Sequence, residues 1–184
     1  MAQKALTLRP HPAFPLAEAS CSMQAFAHFE SNKLRVRFKL EGSLDGFSIP
    51  QRVSVPKRRD QLWQKTCFEL FLSESYPSSR YLEFNLSPEG DWALYQFSGY
   101  RQGLTRPCVK APTIESQYDD STYQLSAQLS TPVDFNASPA SPFGLCAVLL
   151  RYPEQPSFWA ARHLKSAPDF HDPEAFIHPV LGSL

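Results

Sequence analysis

The sequence has no surplus of charge of either sign. Its 18 Lys and Arg residues balance its 18 Asp and Glu residues, so the formal net charge at pH 7 is zero. Proteins that bind nucleic acids or anionic membranes usually have a basic surplus. The balance therefore argues against both kinds of partner and favours a small-molecule ligand.

Long apolar runs and an export signal are also missing. No apolar run reaches the about 20 residues that a membrane-spanning helix needs, and the start of the chain, MAQKALTLRPHP, lacks the apolar core of a signal peptide. The cysteines are few, far apart and without a CxxC pair: Cys21, Cys67, Cys108 and Cys146. We therefore expect a cytoplasmic protein with reduced thiols, no disulfides and no cysteine metal site.

Helical periodicity is absent over any long stretch. The sequence instead has 17 prolines and 13% aromatic residues, distributed among short alternating runs. A chain of 184 residues is long enough for one sizeable core and short for two. We predict one all-β domain over residues 1–184, an antiparallel β-sandwich of immunoglobulin-like or jelly-roll type, with residues 162–184 as an irregular tail packed on it.

The most informative pattern lies within residues 58–101. Successive side chains of a strand point to opposite faces, and two runs here alternate. One face is predicted to enter the core, with Phe68, Leu70, Leu82, Phe84 and Leu86, while the other carries Glu69, Glu83 and Asn85. The polar face is either an ordinary solvated surface or a concave surface that binds a ligand with hydroxyl groups. Pattern alone favours the solvated surface.

Four segments carry a family resemblance: RRDQLW, FELFL, YLEFNLSPEGDWALY and FWAARHLKSAPDFHDPEAF. With these, most of the chain resembles the DOMON-like superfamily, and it looks closest to bacterial DOMON-like proteins grouped beside the type 9 carbohydrate-binding modules. The resemblance implies a β-sandwich with a ligand site at one face or rim. Members of this superfamily bind either sugars or haem.

In the sugar-binding branch, two tryptophans hold a terminal sugar, and an acid six residues after the first tryptophan forms hydrogen bonds to it. Trp63 and Glu69 have that spacing here, and Trp159 is the candidate for the second wall. The further polar groups expected at the site are Glu83, Asn85 and Arg101. Sugar rings have apolar C–H faces that stack on aromatic rings, while their hydroxyls need a few fixed polar partners.

Other interpretations compete with sugar binding. An enzyme or accessory factor acting on a small polar metabolite would use Glu69, Glu83 and the tail histidines. His163, Asp169 and His171 are either metal ligands or members of hydrogen-bonded turns. A haem site would need an axial ligand, for which Met23 is a candidate. We predict a non-catalytic carbohydrate-binding domain without cofactor or metal, with Trp92 in a structural role.

Overall fold

The computed structural model describes residues 5–15, 21–30, 33–74 and 78–179. These contain two short 3-10 helices, Leu62–Gln64 and Pro173–Ala175, and ten strands. The strands are β1 (Leu6–Pro10), β2 (Cys21–Glu30), β3 (Lys33–Gly42), β4 (Cys67–Ser73), β5 (Tyr81–Leu86), β6 (Trp92–Phe97), β7 (Thr113–Tyr118), β8 (Thr122–Leu129), β9 (Phe143–Arg151) and β10 (Gln155–Ala160). The predicted all-β fold is confirmed.

The strands form one antiparallel sheet in the order β6-β5-β4-β9-β10-β1-β2-β3-β8-β7. Strand β1 joins its two halves, because it pairs with β10 on one side and with β2 on the other. The sheet curls so that β6-β5-β4-β9-β10 face β2-β3-β8-β7 across one apolar core. This is the sandwich arrangement, closed along one edge by a shared strand.

Aromatic contacts across the core connect the two halves. The Phe68 ring of β4 lies 5.1 Å from Phe38 of β3 and 5.6 Å from Tyr123 of β8, measured between ring centroids. The residues predicted to face the core from β4 and β5 are all buried there: Phe68, Leu70, Leu82, Phe84 and Leu86. Trp92 also belongs to this core, as expected.

A second, smaller apolar cluster covers the opposite face of the β4–β5–β6 half. The tail contributes Phe176 and Phe170 to it, and backbone hydrogen bonds between Phe143 and Ile177 hold the tail against β9. The last five residues of the predicted tail lie outside the described residues. This face is therefore a covered interior layer and not a solvated surface.

Two features bear on the expected surroundings of the protein. Within the described ranges, no helix has both the length and the apolar character needed to cross a membrane. The four cysteines are free thiols, with Cys67 and Cys146 buried and Cys108 exposed.

Candidate functional site

The candidate site lies on the second face of β4, β5 and β6. Glu69 pairs in register with Asn85, and Phe71 pairs with Glu83, so these four side chains lie side by side on two neighbouring strands. The predicted separation of the polar set from the core set is therefore correct. The expectation that burying one set exposes the other is wrong, because Glu69 is only 3% exposed and Glu83 only 6%.

Three segments bury this face. The 3-10 helix Leu62–Gln64 lies over one side, residues 98–104 over another, and the tail covers the rest. Phe176 packs on Gly144, where a Cβ atom would meet the Phe176 ring at 3.2 Å. A glycine at this position therefore allows the tail to lie close to β9.

The covering segments leave a cavity of about 390 Å³ above the strands. That size is within the range of small-molecule sites. Glu69, Glu83 and His171 supply polar groups, and Arg101 lies among the lining residues. The rest of the lining is mainly aromatic and apolar: Trp63, Phe71, Tyr95, Phe97, Leu104, Val148, Phe158, Pro168 and Phe170.

Glu69 is the most unusual group in the cavity. Among the described residues, no hydrogen-bond donor reaches its Oε1 atom, which is buried. Burial raises the pKa of Glu69 well above its usual value, and the nearby Glu83 carboxyl raises it further. A buried polar atom without a partner is costly, which is the situation that a bound ligand would relieve.

Glu83 is better supported. Asn85 Nδ2 donates to its Oε1 at 2.7 Å, and His171 Nε2 lies 3.6 Å from its Oε2. Burial raises the pKa of Glu83, although the Asn85 hydrogen bond and the Arg101 charge oppose this. Asn85 itself is fully buried and also accepts a weak hydrogen bond from Cys67 Sγ at 3.4 Å. The structure thus places Asn85 beneath the cavity, where it orients Glu83.

His171 enters the cavity from the tail. Its Nδ1 is 2.8 Å from the Tyr81 hydroxyl, and its ring packs edge-on against Phe71 and Phe97. Burial is the main reason why the pKa of His171 falls to about 4, with a smaller contribution from Arg101. At neutral pH the imidazole is therefore uncharged and can donate or accept one hydrogen bond.

Arg101 pairs with an acid, but with one that belongs to the tail. Its guanidinium donates to Asp169 Oδ1 at 2.9 Å, and Lys165 Nζ and the Tyr100 hydroxyl both donate to Oδ2 at 2.6 Å. These donors hold the pKa of Asp169 below its usual range, against the opposing effect of its burial. The Asp169 cluster ties the tail to the 98–104 loop beside the cavity.

Trp63 lies at the rim of the cavity and is 41% exposed. Its ring meets Tyr95 edge-on at 5.9 Å between centroids. Tyr95 is fixed in turn by Asp60, whose Oδ1 accepts from the Tyr95 hydroxyl at 2.8 Å and from Arg106 Nε at 3.2 Å. One aromatic wall is therefore held in place before any ligand arrives.

Trp159 does not form the second wall. It is 1% exposed and packs in the main core, on the opposite face of β10 from the cavity. Its neighbour Phe158 pairs with Val148, and both side chains line the cavity. The spacing argument therefore selected the right strand and the wrong one of two adjacent aromatic residues.

Several lining residues were missed at the sequence level: Tyr95, Phe97, Phe158 and Phe170. Tyr95 and Phe97 had a usable signal, since they alternate with the core residues of β6. Phe170 and His171 had none, because the tail has no strand or helix period that would predict its contacts.

The metal and haem interpretations gain no ligand set. Within the part of the chain that the structure describes, no three His, Cys, Asp or Glu side chains converge as metal ligands. His163 Nε2 lies 2.8 Å from the Arg9 carbonyl oxygen, away from Asp169 and His171. Met23 is buried in the main core and does not line the cavity.

Comparison with known proteins places the fold. No family model matches the chain, and no curated protein matches it. A proposed carbohydrate-binding protein from Bacteroides uniformis superposes with a TM-score of 0.64 at 13% identity, covering 93% of this chain and 84% of that one. A family 9 carbohydrate-binding module from Caldicellulosiruptor kristjanssonii, solved with cellotriose, gives a TM-score of 0.52 at 13% identity, covering 95% and 80%. At this identity the similarity establishes a shared fold.

Proposed function

We propose that this protein is a non-catalytic carbohydrate-binding domain and that the 390 Å³ cavity is its site. One observation carries the proposal: buried carboxyl groups, one of them with an unpartnered oxygen, lie within aromatic walls in a single cavity. A sugar needs this combination, because its C–H faces pack on rings while its hydroxyls require fixed hydrogen-bond partners.

Each proposed contact has a residue suited to it. Trp63 and Tyr95 offer ring surfaces at the rim, and Phe158 lies on the β9–β10 side. Glu69 and Glu83 provide hydroxyl partners below, with His171 beside them. Arg101, engaged with Asp169, contributes at the edge. The site thus retains four of the six residues expected from the sequence as lining groups; Asn85 supports it from below, and Trp159 is left out.

Binding is favoured over hydrolysis by the position of the two acids. Glycosidases flank the scissile bond with their carboxyl groups. Glu69 and Glu83 instead project from adjacent antiparallel strands on the same side of the cavity. Two acids beneath a ligand can accept its hydroxyl protons, but they do not enclose a glycosidic bond from opposite sides.

Proteins with the same fold add support by analogy. The Caldicellulosiruptor kristjanssonii module was solved with cellotriose, and the Bacteroides uniformis protein is itself a proposed carbohydrate binder. Fold does not fix function, so the analogy supports the proposal only together with the cavity. We also propose that the chain is a DOMON-like domain that acts in the cytoplasm.

Replacing Trp63 by alanine should weaken sugar binding by roughly 1–3 kcal/mol, about five- to 150-fold in Kd, because a ring wall is lost. The fold should remain, since Trp63 lies in a surface 3-10 helix and outside the main core. Isothermal titration calorimetry with a panel of mono- and disaccharides measures the change.

The matched control is Tyr118→Ala, which removes another exposed aromatic ring on β7, remote from the cavity lining. Its sugar affinity should equal that of the unaltered protein. The proposal is abandoned if the whole panel gives no heat above dilution, or if Trp63→Ala binds as tightly as Tyr118→Ala.

A further inference from the structure

The ionisable groups of the cavity are predominantly acidic. Glu69 and Glu83 both line it, and among the described lining residues Arg101 is the only lysine or arginine. Arg101 already donates to Asp169 at 2.9 Å. His171 adds no positive charge near neutral pH, because burial lowers its pKa to about 4.

The aromatic walls favour the same sign of ligand charge. Six aromatic rings line the cavity: Trp63, Phe71, Tyr95, Phe97, Phe158 and Phe170. The faces of such rings are electrically negative and attract cations at distances within about 6 Å. Aromatic walls around buried carboxyl groups are therefore a better environment for a positive group than for a neutral one.

We propose that the sugar bound here carries a free amine, whose ammonium group is recognised by Glu69 and Glu83 within the aromatic walls. This inference rests on the proposed carbohydrate-binding function and narrows it to amino sugars. An ammonium group has three donors, which would satisfy the unpartnered Glu69 Oε1 and still reach Glu83. The ring carbons would meet the aromatic side chains.

A free metal ion fits the cavity less well. Hard cations prefer six or more oxygen ligands, whereas the described lining offers two carboxyl groups surrounded by apolar rings. An ammonium group on an apolar ring uses both kinds of surface at once.

Binding of an amine should release a proton. Burial and mutual repulsion raise the pKa values of the two carboxyl groups, so the empty site holds a proton that an ammonium group would displace. Cys67 lies beside Glu69 on its own strand. The groups that face Glu69 from other elements are Glu83 of β5, Tyr95 of β6, Cys146 of β9, Arg101 of the 98–104 loop and His171 of the tail.

The test is calorimetric titration with glucosamine, glucose and N-acetylglucosamine, in which acetylation removes the charge. Glucosamine should bind at least about tenfold more tightly than either neutral sugar, because hydrogen bonds between charged groups are about twice as strong as neutral ones. Repeating the titration in buffers of different ionisation enthalpy should show proton release with glucosamine alone.

Two variants assign the preference to the carboxyl groups. In Glu69→Gln, the ratio of glucosamine to glucose affinity should fall to within about threefold, and Glu83→Gln serves as a second variant if Glu69→Gln does not fold. The control is Glu115→Gln, which neutralises an exposed glutamate of β7 and should keep the full ratio.

Equal binding of glucosamine and glucose would overturn the amine inference and leave carbohydrate binding intact. Tighter binding of N-acetylglucosamine than of glucosamine would do the same. If tetramethylammonium or calcium chloride binds in a Glu69-dependent manner while no sugar binds, the proposed function and this inference both fail.

Discussion

Replacing Trp159 by alanine is expected to lower the free energy of unfolding by about 3–5 kcal/mol, the usual cost of removing a large buried aromatic side chain. Trp159 is among the largest fully buried residues and packs between the two halves of the sheet. Most of that packing would be replaced by a cavity, because a closed β-sandwich can collapse only partly. Equilibrium denaturation in urea or guanidinium chloride measures the loss.

Adjacent positions on β10 supply the control. Phe158→Ala should cost less stability, because Phe158 is only half buried, and should instead weaken sugar binding, because it lines the cavity. Trp159→Phe should be milder than Trp159→Ala, since it keeps a ring and removes an indole N–H that has no hydrogen-bond partner among the described residues. A Trp159→Ala protein of full stability but lost sugar binding would return Trp159 to the site.

The second large effect concerns pH. The pKa of Glu69 is raised well above its usual value of about 4.5 by burial and by Glu83, so the folded protein binds a proton there that the unfolded chain has already released. Stability falls with rising pH wherever the folded state binds more protons. From about pH 4.5 up to the folded-state pKa of Glu69, this carboxyl should therefore reduce stability progressively, by up to about 1.4 kcal/mol per pH unit.

Glu69→Gln removes this dependence while keeping the side-chain shape. The variant should become more stable than the unaltered protein as pH rises from 5 to 8, as measured by denaturant unfolding across that range. It would gain stability while losing selectivity in binding, the usual exchange at a ligand site. Glu115→Gln, an exposed substitution, sets the baseline. A difference between Glu69→Gln and the unaltered protein that stays constant over this pH range would contradict the account.

Much of the fold followed from alternation along single strands. In β4 and β5 every second residue is apolar, so the phase of each strand was determined, and the faces of Glu69 and Glu83 followed from it. In β10 the sequence FWA is apolar on both faces, so alternation could not decide between Phe158 and Trp159. The tryptophan spacing of the resembled family selected Trp159, and the observed register placed Phe158 at the cavity instead.

The closure of the site could not be predicted, for a different reason. Asp169 meets Arg101 and Tyr100 across a separation of nearly 70 residues, and His171 meets Tyr81 across 90. Such contacts depend on where the sheet ends bring a proline-rich segment without periodicity. The same holds for β1, whose pairing with β10 joins the ends of the described chain. The sequence therefore predicted a polar strand face without predicting its cover.

The central claim is that a sugar enters the cavity beside Trp63. The chain has three tryptophans, of which Trp63 is at the rim and Trp92 and Trp159 are in the core. Their indole N–H signals in a two-dimensional proton–nitrogen NMR spectrum, assigned with single Trp→Phe variants, can be followed while glucose, glucosamine and cellotriose are added in turn. The account predicts a saturable shift of the Trp63 signal with at least one sugar, while the Trp159 signal stays in place. An unmoved Trp63 signal at high millimolar concentrations of all three sugars, or a shift confined to the core tryptophans, would contradict it.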